Sequence, residues 1–322
     1  MTNSSETETL NLESEAKSRL RGRRLFIIGF TSPLGQSIAS QALLAGAQVF
    51  AVSRSIPTVS KVSNYCTDMQ MDLNLNGSFR KLGLVCGDLV ICAAPIRVLA
   101  RAVTGVEFPS NVCIAAVSSA SAITKVDSPF PRDARLSQEL LTAEAVIATA
   151  FGGNARILRP TMIYGSGRDN NVAQIARILS RFHVFPLVGG GVGLRAPVHV
   201  DDLAQVAVAP VAANPILNPI HVPGGERLTF REVVRRIAIA AKIRYMEIPV
   251  PSFPFALGGR HLANIGRLGG SLAACVRMSQ DLTVPDDAAV FGITRRPFYP
   301  DARALGRDAG KAKSYQSTSI KG

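Results

Sequence analysis

A glycine-flanked turn near the start of the chain has the residue types of an anion-binding loop. It reads GFTSPLG over residues 29–35, follows the apolar run 25–28, and opens a helical pattern. In such a strand–turn–helix context, backbone N–H groups and the helix N-terminus bind the pyrophosphate of a dinucleotide. A plain tight turn is the alternative interpretation. The predicted cofactor-binding residues of this turn are Gly29, Thr31, Ser32, Pro33, Leu34 and Gly35.

The residues that follow the next strands predict which cofactor is bound. Arg54 follows the apolar run 49–52, at a position where an acidic residue binds a ribose 2′-hydroxyl and an arginine accommodates a 2′-phosphate. Arg54 therefore favours NADP over NAD, unless it is a solvated loop arginine. Two further segments are predicted to contact the cofactor: Asp72 and Leu73 at the adenine edge, and the small residues Ala93, Ala94 and Pro95 at a strand end.

The elements that position these residues are short apolar strands that alternate with helices. Strands are predicted near 23–29, 49–52, 88–93, 112–117 and 156–158, and helices at 33–46, 95–102 and 133–150. This alternation indicates βαβ units. We predict an α/β fold with a doubly wound (Rossmann), mostly parallel sheet and a smaller C-terminal α/β substrate lobe.

The pattern changes after Pro160, where a second lobe is predicted. Helices are expected at 171–181, from Asp202 and at 230–241, with short strands at 198–200 and 220–222. Residues 249–274 lack clean periodicity and receive no assignment. The predicted organisation is a disordered tail (1–20), a dinucleotide-binding domain (21–160), a substrate-binding lobe (161–305) and a loose C-terminal tail (306–322).

The composition is that of a globular protein with a basic surface. Hydrophobic residues make up 47% of the 322 residues and charged residues 18%, with 36 Lys and Arg against 23 Asp and Glu. This mixture excludes a wholly disordered or collagen-like chain. No helix-turn-helix, zinc-finger or aromatic-interleaved basic motif occurs, so we predict no nucleic-acid partner.

Further features bear on location and metals. The five cysteines form no CxxC pair, which is typical of free thiols in a reducing compartment. The N-terminus is polar and acidic, unlike a signal peptide, and no apolar run reaches about 18 residues. We therefore expect a cytoplasmic protein with no transmembrane segment. His183, His221 and His261 show no ligand spacing, so no metal site is predicted.

Three motifs give the chain a family resemblance. They are VSSAS (117–121), LRPTMIYG (158–165) and RAPVHVDDLA (195–204). Together with the glycine turn they resemble the extended short-chain dehydrogenase/reductase superfamily and, more narrowly, its NAD-dependent epimerase/dehydratase family. The resemblance covers residues 24–304. It implies an NADP-dependent oxidoreductase or epimerase/dehydratase that acts on a nucleotide-sugar or similar small molecule, and it leaves a homodimer open, since the family often dimerises.

The resemblance also implies roles for single residues. Arg195 would grip a substrate phosphate, with a structural arginine paired to Asp201 or Asp202 as the alternative. Tyr164 belongs to a motif in which its usual role is structural, and His199 is expected to be packed. The residues expected beside the nicotinamide are Pro160, Met162 and Ile163.

The sequence departs from the family at the catalytic Tyr-x-x-x-Lys pair, in which the lysine lowers the tyrosine pKa for proton transfer. No tyrosine occurs between Tyr65 and Tyr164, and no lysine between Lys125 and Lys242. Aligning the family's Ala-Glu on 143–144 puts the Tyr position at Leu136 or Ser137, and the Lys position at Leu140 or Leu141. The family's Ser/Thr site falls on Ala120.

Three hypotheses follow from this departure. The first is an enzyme with a relocated acid/base group, the second a catalytically silent NADPH-binding subunit, sensor or assembly factor, and the third a relative that keeps only the fold. Fold alone does not decide between them. The acid/base candidates are Lys125, Glu139, Ser119, Ser121 and Tyr164. Of these, Ser119, Ser121 and Tyr164 are the predicted catalytic residues.

Overall fold

The computed structural model describes residues 20–55, 65–75, 77–169, 171–212, 219–252 and 273–306. The predicted tails and most of segment 249–274 therefore lie outside the described residues. Within them the chain forms two compact units. The first combines the residues up to Thr161 with 201–223 and 284–295, and the second combines 162–200, 224–283 and the residues from Arg296 onward.

The bounds of the elements are as follows. The strands are β1 Arg24–Ile28, β2 Gln48–Ser53, β3 Thr67–Gln70, β4 Leu89–Cys92, β5 Cys113–Val117, β6 Ala155–Pro160, β7 Ile163–Tyr164, β8 Val184–Val188, β9 Leu194–Arg195, β10 Val198–His199, β11 Ile220–Val222, β12 Leu228–Thr229 and β13 Met246–Val250. The α-helices are α1 Pro33–Leu44, α2 Ile96–Val103, α3 Ser121–Thr124, α4 Pro131–Phe151, α5 Val172–Phe182, α6 Val200–Ala212 and α7 Phe230–Ala240.

The first unit is built on a seven-stranded sheet with the order β11-β6-β5-β4-β1-β2-β3. All neighbouring strands are parallel. The chain moves outward from β1 in one direction through β2 and β3, and in the other through β4, β5, β6 and β11. This reversal beside β1 is the topological switch point of a doubly wound sheet, where ligands bind at the carboxyl ends of the strands. The predicted fold class is confirmed.

The core of the first unit explains why these segments become strands. β1 and β4 are buried almost throughout, because helices cover the faces of a parallel sheet. Phe26, Val90 and Ile114 of the sheet share one apolar cluster with Leu140 and Ile147 of α4. The helices of the described residues include none that is both long and apolar enough to cross a membrane.

The first unit takes in two segments that sequence reasoning placed in the C-terminal lobe. Strand β11 extends the large sheet, since Ile220 pairs with Leu158 and Val222 with Pro160. The carboxylate of Asp287, at the start of a 3-10 helix over Asp287–Phe291, accepts a hydrogen bond of 3.0 Å from the backbone N–H of His221 in β11. Apolar patterning identified β11 as a strand but carries no information about its partner, so the predicted lobe differs from the observed unit in its composition.

The second unit is smaller and contains short sheets. Within the described ranges, β7 pairs with β10, β9 with β12, and β8 with β13. Helices α5 and α7 bury their apolar faces in one cluster, which includes Leu179, Ile237 and Phe298. At the start of α7, Thr229 Oγ1 accepts a hydrogen bond of 3.1 Å from the N–H of Glu232 and so caps the helix.

Candidate functional site

The GFTSPLG turn is a close crossing that only glycine allows at both ends. Gly29 has φ +84°, and a Cβ there would lie 2.8 Å from the backbone nitrogen of Ala94. A Cβ at Gly35 would lie 2.8 Å from the Cα of Phe30 and closer still to the carbonyl oxygen of Gly29. The turn therefore packs directly against the start of α1 and the end of β4, as the glycines of a dinucleotide-binding turn do.

Ser32, which replaces the usual middle glycine, caps α1. Its Oγ accepts a hydrogen bond of 3.0 Å from the N–H of Gly35 and donates one of 2.7 Å to the carbonyl oxygen of Gly29. Its backbone is extended (φ −72°, ψ 151°), as is usual for an N-cap residue. The hydroxyl group is thus bonded within the turn itself.

The turn leaves backbone donors open at the helix N-terminus. The N–H groups of Gly29 and Phe30 donate to the carbonyl oxygen of Val52, and that of Ser32 donates to Gly29. Among the described residues, the N–H groups of Thr31 and Leu34 have no acceptor. The dipole of the 12-residue helix α1 adds partial positive charge at the same end, and its first turn carries no acidic residue. These features together suit a phosphate group.

Arg54 and Asp72 lie at neighbouring strand ends. The N–H of Met71 donates to the carbonyl oxygen of Ser53, at 2.9 Å, so Asp72 follows β3 beside the residue that follows β2. The Asp72 carboxylate accepts hydrogen bonds of 2.9 Å from both the backbone N–H and the side-chain amide of Asn74. These bonds, with a smaller contribution from the cation of Arg54, lower the pKa of Asp72. Arg54 itself is exposed.

Small residues follow β4 next to the turn. The N–H of Ala93 donates to the carbonyl oxygen of Ile28 at 2.9 Å, which holds the ends of β4 and β1 together. Ala93 and Ala94 are half-buried, and Pro95 is exposed at the start of α2. The predicted cofactor residues Gly29, Ala93 and Ala94 are therefore adjacent, while Leu73 is buried on the other side of β1, after β3.

The loop after β5 is bonded to the end of β6. The N–H of Ser118 donates to Leu158 at 2.7 Å, and the N–H of Ala120 donates to Pro160 at 2.8 Å. Ser119 Oγ accepts a hydrogen bond of 3.1 Å from the backbone N–H of Ser121. Ala120, at which the family's Ser/Thr position is predicted, is 5% exposed.

A buried ion pair fixes the register of α4 against β6. Glu144 accepts two hydrogen bonds of 3.1 Å from Nε of Arg159 and a further, short one from Nη2. The same carboxylate accepts a hydrogen bond from Ser118 Oγ. Both charged residues are buried, and the pairing offsets the cost of removing them from water. With the family's Ala-Glu aligned on Ala143 and Glu144, the predicted tyrosine position on α4 remains Leu136 or Ser137, and the predicted lysine position remains Leu140 or Leu141.

Leu136 and Leu140 pack against apolar side chains. Leu140 is 7% exposed and belongs to the core of the first unit, and Leu136 packs against the same core. Between them, Ser137 Oγ donates a hydrogen bond of 2.6 Å to the carbonyl oxygen of Ala122. Ala120, Leu136 and Leu140 therefore carry no group that transfers a proton.

Two of the other acid/base candidates are held in roles that do not suit proton transfer. Glu139 binds Arg97 and Arg135, whose hydrogen bonds lower its pKa, so it remains a carboxylate at neutral pH. Tyr164 is 1% exposed, and its ring packs edge-on against His199 and Phe298 in the core of the second unit. This burial favours the structural role for Tyr164.

Arg195 lies in the second unit, where most of its bonds go to backbone. Its Nη1 donates hydrogen bonds of 2.8 Å to the carbonyl oxygens of Leu194 and Gln280, and its Nη2 donates to that of Arg277. Burial, reinforced by the nearby Arg277, lowers the pKa of Arg195 to about 10. These hydrogen bonds link segment 277–280 to β9. The role of Arg195 as a phosphate ligand stays a prediction.

The remaining predicted residues fall in different units. Pro160 ends β6 in the first unit, whereas Met162 and Ile163 begin the second, where the carbonyl oxygen of Met162 accepts the N–H of Val198 at 2.9 Å.

Nowhere in the described ranges do three or more His, Cys, Asp or Glu side chains form a group that suits a metal ion.

Sequence reasoning missed a polar network on one side of the sheet. Beyond Glu144 and Arg159, Nη1 of Arg159 lies 3.5 Å from Nε2 of His221, and Nδ1 of His221 lies 2.6 Å from Asp287. One signal was available, because an arginine inside the apolar strand pattern of residues 156–160 requires a buried partner. The identity of the partners depends on the tertiary fold.

Comparisons of sequence give a limited match. No protein-family model matches the chain. Over 123 residues, or 36% of this chain, it is 30% identical to a UDP-glucose 4-epimerase of Vibrio cholerae, and that match covers 37% of the epimerase. The chain spans less than half the length of the curated relatives it matches.

Comparisons of structure cover nearly the whole chain. An epimerase from Methanothermobacter thermautotrophicus matches with a TM-score of 0.65 at 14% identity, over 95% of this chain and 98% of that one. The UDP-glucose 4-epimerase of Thermus thermophilus, solved in complex with NAD, matches with a TM-score of 0.58 at 18% identity, over 89% and 99%. The chain shares the fold of these epimerases, with a seven-stranded parallel sheet of the doubly wound type.

Proposed function

We propose that the GFTSPLG turn binds the pyrophosphate of a nicotinamide adenine dinucleotide. The observation that carries this proposal is the pair of N–H groups, on Thr31 and Leu34, that lack an acceptor among the described residues at the N-terminus of α1. Gly29 and Gly35 allow the turn to pass closely between the end of β4 and the start of α1, which is the backbone arrangement of a pyrophosphate-binding turn. The similar Thermus epimerase, which was solved with NAD, gives this cofactor class support.

The proposed cofactor is NADP. Arg54 places an exposed guanidinium group directly after β2, where a 2′-phosphate of the adenine ribose would lie. No carboxylate follows β2 in the described residues up to Ser55, and the Asp72 carboxylate after β3 accepts hydrogen bonds from Asn74. A planar guanidinium group forms two parallel hydrogen bonds with a phosphate, which gives NADPH an advantage over NADH.

The proposed activity is oxidoreductase or epimerase-type chemistry on a nucleotide-sugar or related small molecule. The nicotinamide supplies a hydride donor or acceptor when it is bound. The support for this substrate class is the match to a UDP-glucose 4-epimerase. In this proposal Ser119 and Ser121 remain the candidates of the β5 loop for hydrogen bonding to the reacting oxygen.

A catalytically silent NADPH-binding subunit, sensor or assembly factor is the second candidate. The observation that favours it is the apolar packing of Ala120, Leu136 and Leu140, which fall at positions predicted for the family's proton-transferring residues. Both candidate functions require NADPH binding, but only the enzyme converts a substrate.

The free thiols bear on the location of the protein. Cys86 is exposed, and the five cysteines are free, which suits the reducing cytoplasm that we propose as the location.

We also propose a homodimer formed through the helices that flank β5, because Leu141 on α4 is 37% exposed. Light scattering behind a sizing column measures the mass directly, and a monomer at micromolar concentration would contradict the dimer.

A fluorescence titration tests the cofactor. NADPH and NADH are titrated into wild type, Arg54→Ala and, as a matched control, Arg80→Ala, which removes another exposed arginine of the first unit. We expect Arg54→Ala to weaken NADPH binding about tenfold, or about 1.4 kcal/mol, with NADH unchanged. An equal loss for both nucleotides would refute the choice of NADP, and no binding of either at millimolar concentration would refute the site.

A turnover assay separates the two candidate functions. The cofactor-loaded protein is incubated with a panel of UDP-sugars, while nicotinamide absorbance and the sugar products are followed. Conversion of any sugar supports the enzyme. A folded, cofactor-binding protein that converts none supports the silent subunit.

A further inference from the structure

A largely buried ion pair joins the end of α3 to the first turn of α4. Nζ of Lys125 lies 3.2 Å from Oδ1 of Asp133, and the two side chains are 14% and 9% exposed. Lys125 is the C-cap of α3, and Asp133 lies in the first turn of α4. Burying two charges is costly unless the geometry or a function compensates.

The connections of the first unit place this pair at the ligand-binding edge of the sheet. β5 ends at Val117, and the loop after it crosses the end of β6, where Ala120 donates to Pro160. Helix α3 and Lys125 follow in that loop, and α4 begins six residues after Lys125. In a doubly wound sheet, the loops after the carboxyl ends of the strands form the ligand site.

The pair also lies on the face of α4 that faces the core. Asp133, Ser137, Leu140 and Glu144 are all buried, and they recur at spacings of three and four residues, so they line one side of the helix. Asp133 precedes Leu136, at the family's tyrosine position, by about one helical turn, or about 5 Å along the axis. A cation held by Asp133 is therefore close to the position that the missing phenol would occupy.

Among the five acid/base candidates, the contacts of the other four favour Lys125. Glu139 is kept ionised by two arginines, and Tyr164 lies in the core of the second unit. Ser119 Oγ accepts the N–H of Ser121, and both serines are neutral hydroxyls. A hydroxyl without an adjacent base transfers protons poorly at neutral pH, whereas an ammonium group donates one directly.

Resting on the proposed function, we propose that Lys125 is the catalytic residue that exchanges a proton with the substrate oxygen, and that Asp133 is its positioning residue. In the reducing direction the carbonyl carbon receives a hydride from the reduced nicotinamide. An N–H bond of the ammonium group breaks, its proton forms the new hydroxyl, and the neutral amine regains a proton from water. In the oxidising direction the ammonium group would first lose a proton to water, and the resulting neutral amine would take the hydroxyl proton while the hydride passes from the carbon to the oxidised nicotinamide.

A measurement without turnover tests whether Lys125 lies beside the nicotinamide. The protein is labelled with ¹³C at the lysine ε-carbons, and the Lys125 signal is identified by its absence in Lys125→Arg. The signal is then titrated with pH in the NADP⁺ and NADPH complexes, because only the oxidised ring carries a positive charge. A neighbouring charge should lower the titration midpoint of Lys125 by about one pH unit in the NADP⁺ complex. Equal midpoints in the two complexes would overturn the proposal.

Variants test the role in catalysis with the sugar that the UDP-sugar panel identifies. Lys125→Met should keep the Kd for NADPH within about twofold and the KM nearly unchanged, while kcat falls about 100-fold or more. Asp133→Asn should shift the pH profile of kcat, which a merely structural ion pair would not do. Lys81→Met, at an exposed lysine of the same unit, is the control and should leave kcat unchanged.

The outcomes separate this inference from the proposed function. Wild type that binds neither nucleotide refutes the proposed function itself. Wild type that binds both, with a Lys125 signal that does not respond, refutes only the role of Lys125. Should Lys125→Met fail to fold, the titration of the wild-type protein still decides. Full turnover in Lys125→Met would also overturn the proposal.

Discussion

Replacing Gly35 with alanine tests the close crossing on which the cofactor site depends. The added Cβ would lie 2.8 Å from the Cα of Phe30 and closer still to the carbonyl oxygen of Gly29. Carbon atoms pack best at about 3.5–4.0 Å, so α1 must move away from the turn by several tenths of an ångström or more. Both neighbours are backbone atoms, which a change of side-chain rotamer does not relieve.

The expected loss of stability is the difference between two opposing effects. Overpacking costs up to about 3 kcal/mol, and backbone atoms on both sides put this site at the upper end. Alanine is a better helix former than glycine by about 1 kcal/mol, and Gly35 lies inside α1. The net loss is about 2 kcal/mol, which lowers Tm by about 4–8 °C in a cooperative unit of this size.

Thermal unfolding and NADPH titration measure the two consequences. We expect Gly35→Ala to raise the Kd for NADPH at least about tenfold, since the open N–H groups of Thr31 and Leu34 move with the turn. Gly153→Ala is the control, because a Cβ there would meet nothing within 4 Å and no left-handed φ is involved. An unchanged Tm would refute the close crossing, and a lowered Tm with unchanged Kd would show that NADPH binds elsewhere.

Three other changes have defined outcomes. Ser32→Ala removes the cap of α1 and should cost about 1 kcal/mol in thermal unfolding with little change in the Kd for NADPH; tighter binding would contradict the capping role. Glu144→Gln leaves the buried cation of Arg159 without its charge partner and should lower the free energy of unfolding in urea by about 3 kcal/mol. A decrease below about 1 kcal/mol would contradict this role of the pair. Hydrogen bonds from Arg235 and Arg236 lower the pKa of Glu232 from its ordinary 4.5, so its stabilisation is present above that value and is lost as the pH falls through the lowered pKa. Urea unfolding from neutral pH to about pH 3 should therefore show a smaller acid-induced loss in Glu232→Gln than in wild type, and equal losses would contradict this assignment.

The strands of the large sheet were predictable where both faces are buried. β1, β4 and β5 are apolar along their length, because helices cover a parallel sheet on both sides, and all three were predicted. β3 was missed, since Thr67–Gln70 is an edge strand with mostly exposed polar side chains. In the second unit β8 and β13 were also missed, because each contains a proline, which argues against a strand in sequence reasoning.

The candidate site was predictable in its backbone and less so in its side chains. The spacing of Gly29 and Gly35 indicated a phosphate-binding turn, because the crossing of strand and helix depends on local geometry. The direction of the Ser32 hydroxyl and the bonds of Arg195 depend on atoms that the sequence does not place. Arg195 shows this most clearly, since its partners Arg277 and Gln280 lie more than 80 residues away along the chain.

The buried face of α4 is occupied by two ion pairs and by apolar packing. Asp133 and Glu144 on its buried face each bind a cation from another element, Lys125 and Arg159, and Leu140 packs into the core between them. A lysine at position 140 would bury a third cation, in addition to Lys125 and Arg159, at a position that is 7% exposed, and this costs several kcal/mol without a partner. This packing supports our proposal that Lys125, which forms an ion pair with Asp133, is the group that exchanges the proton.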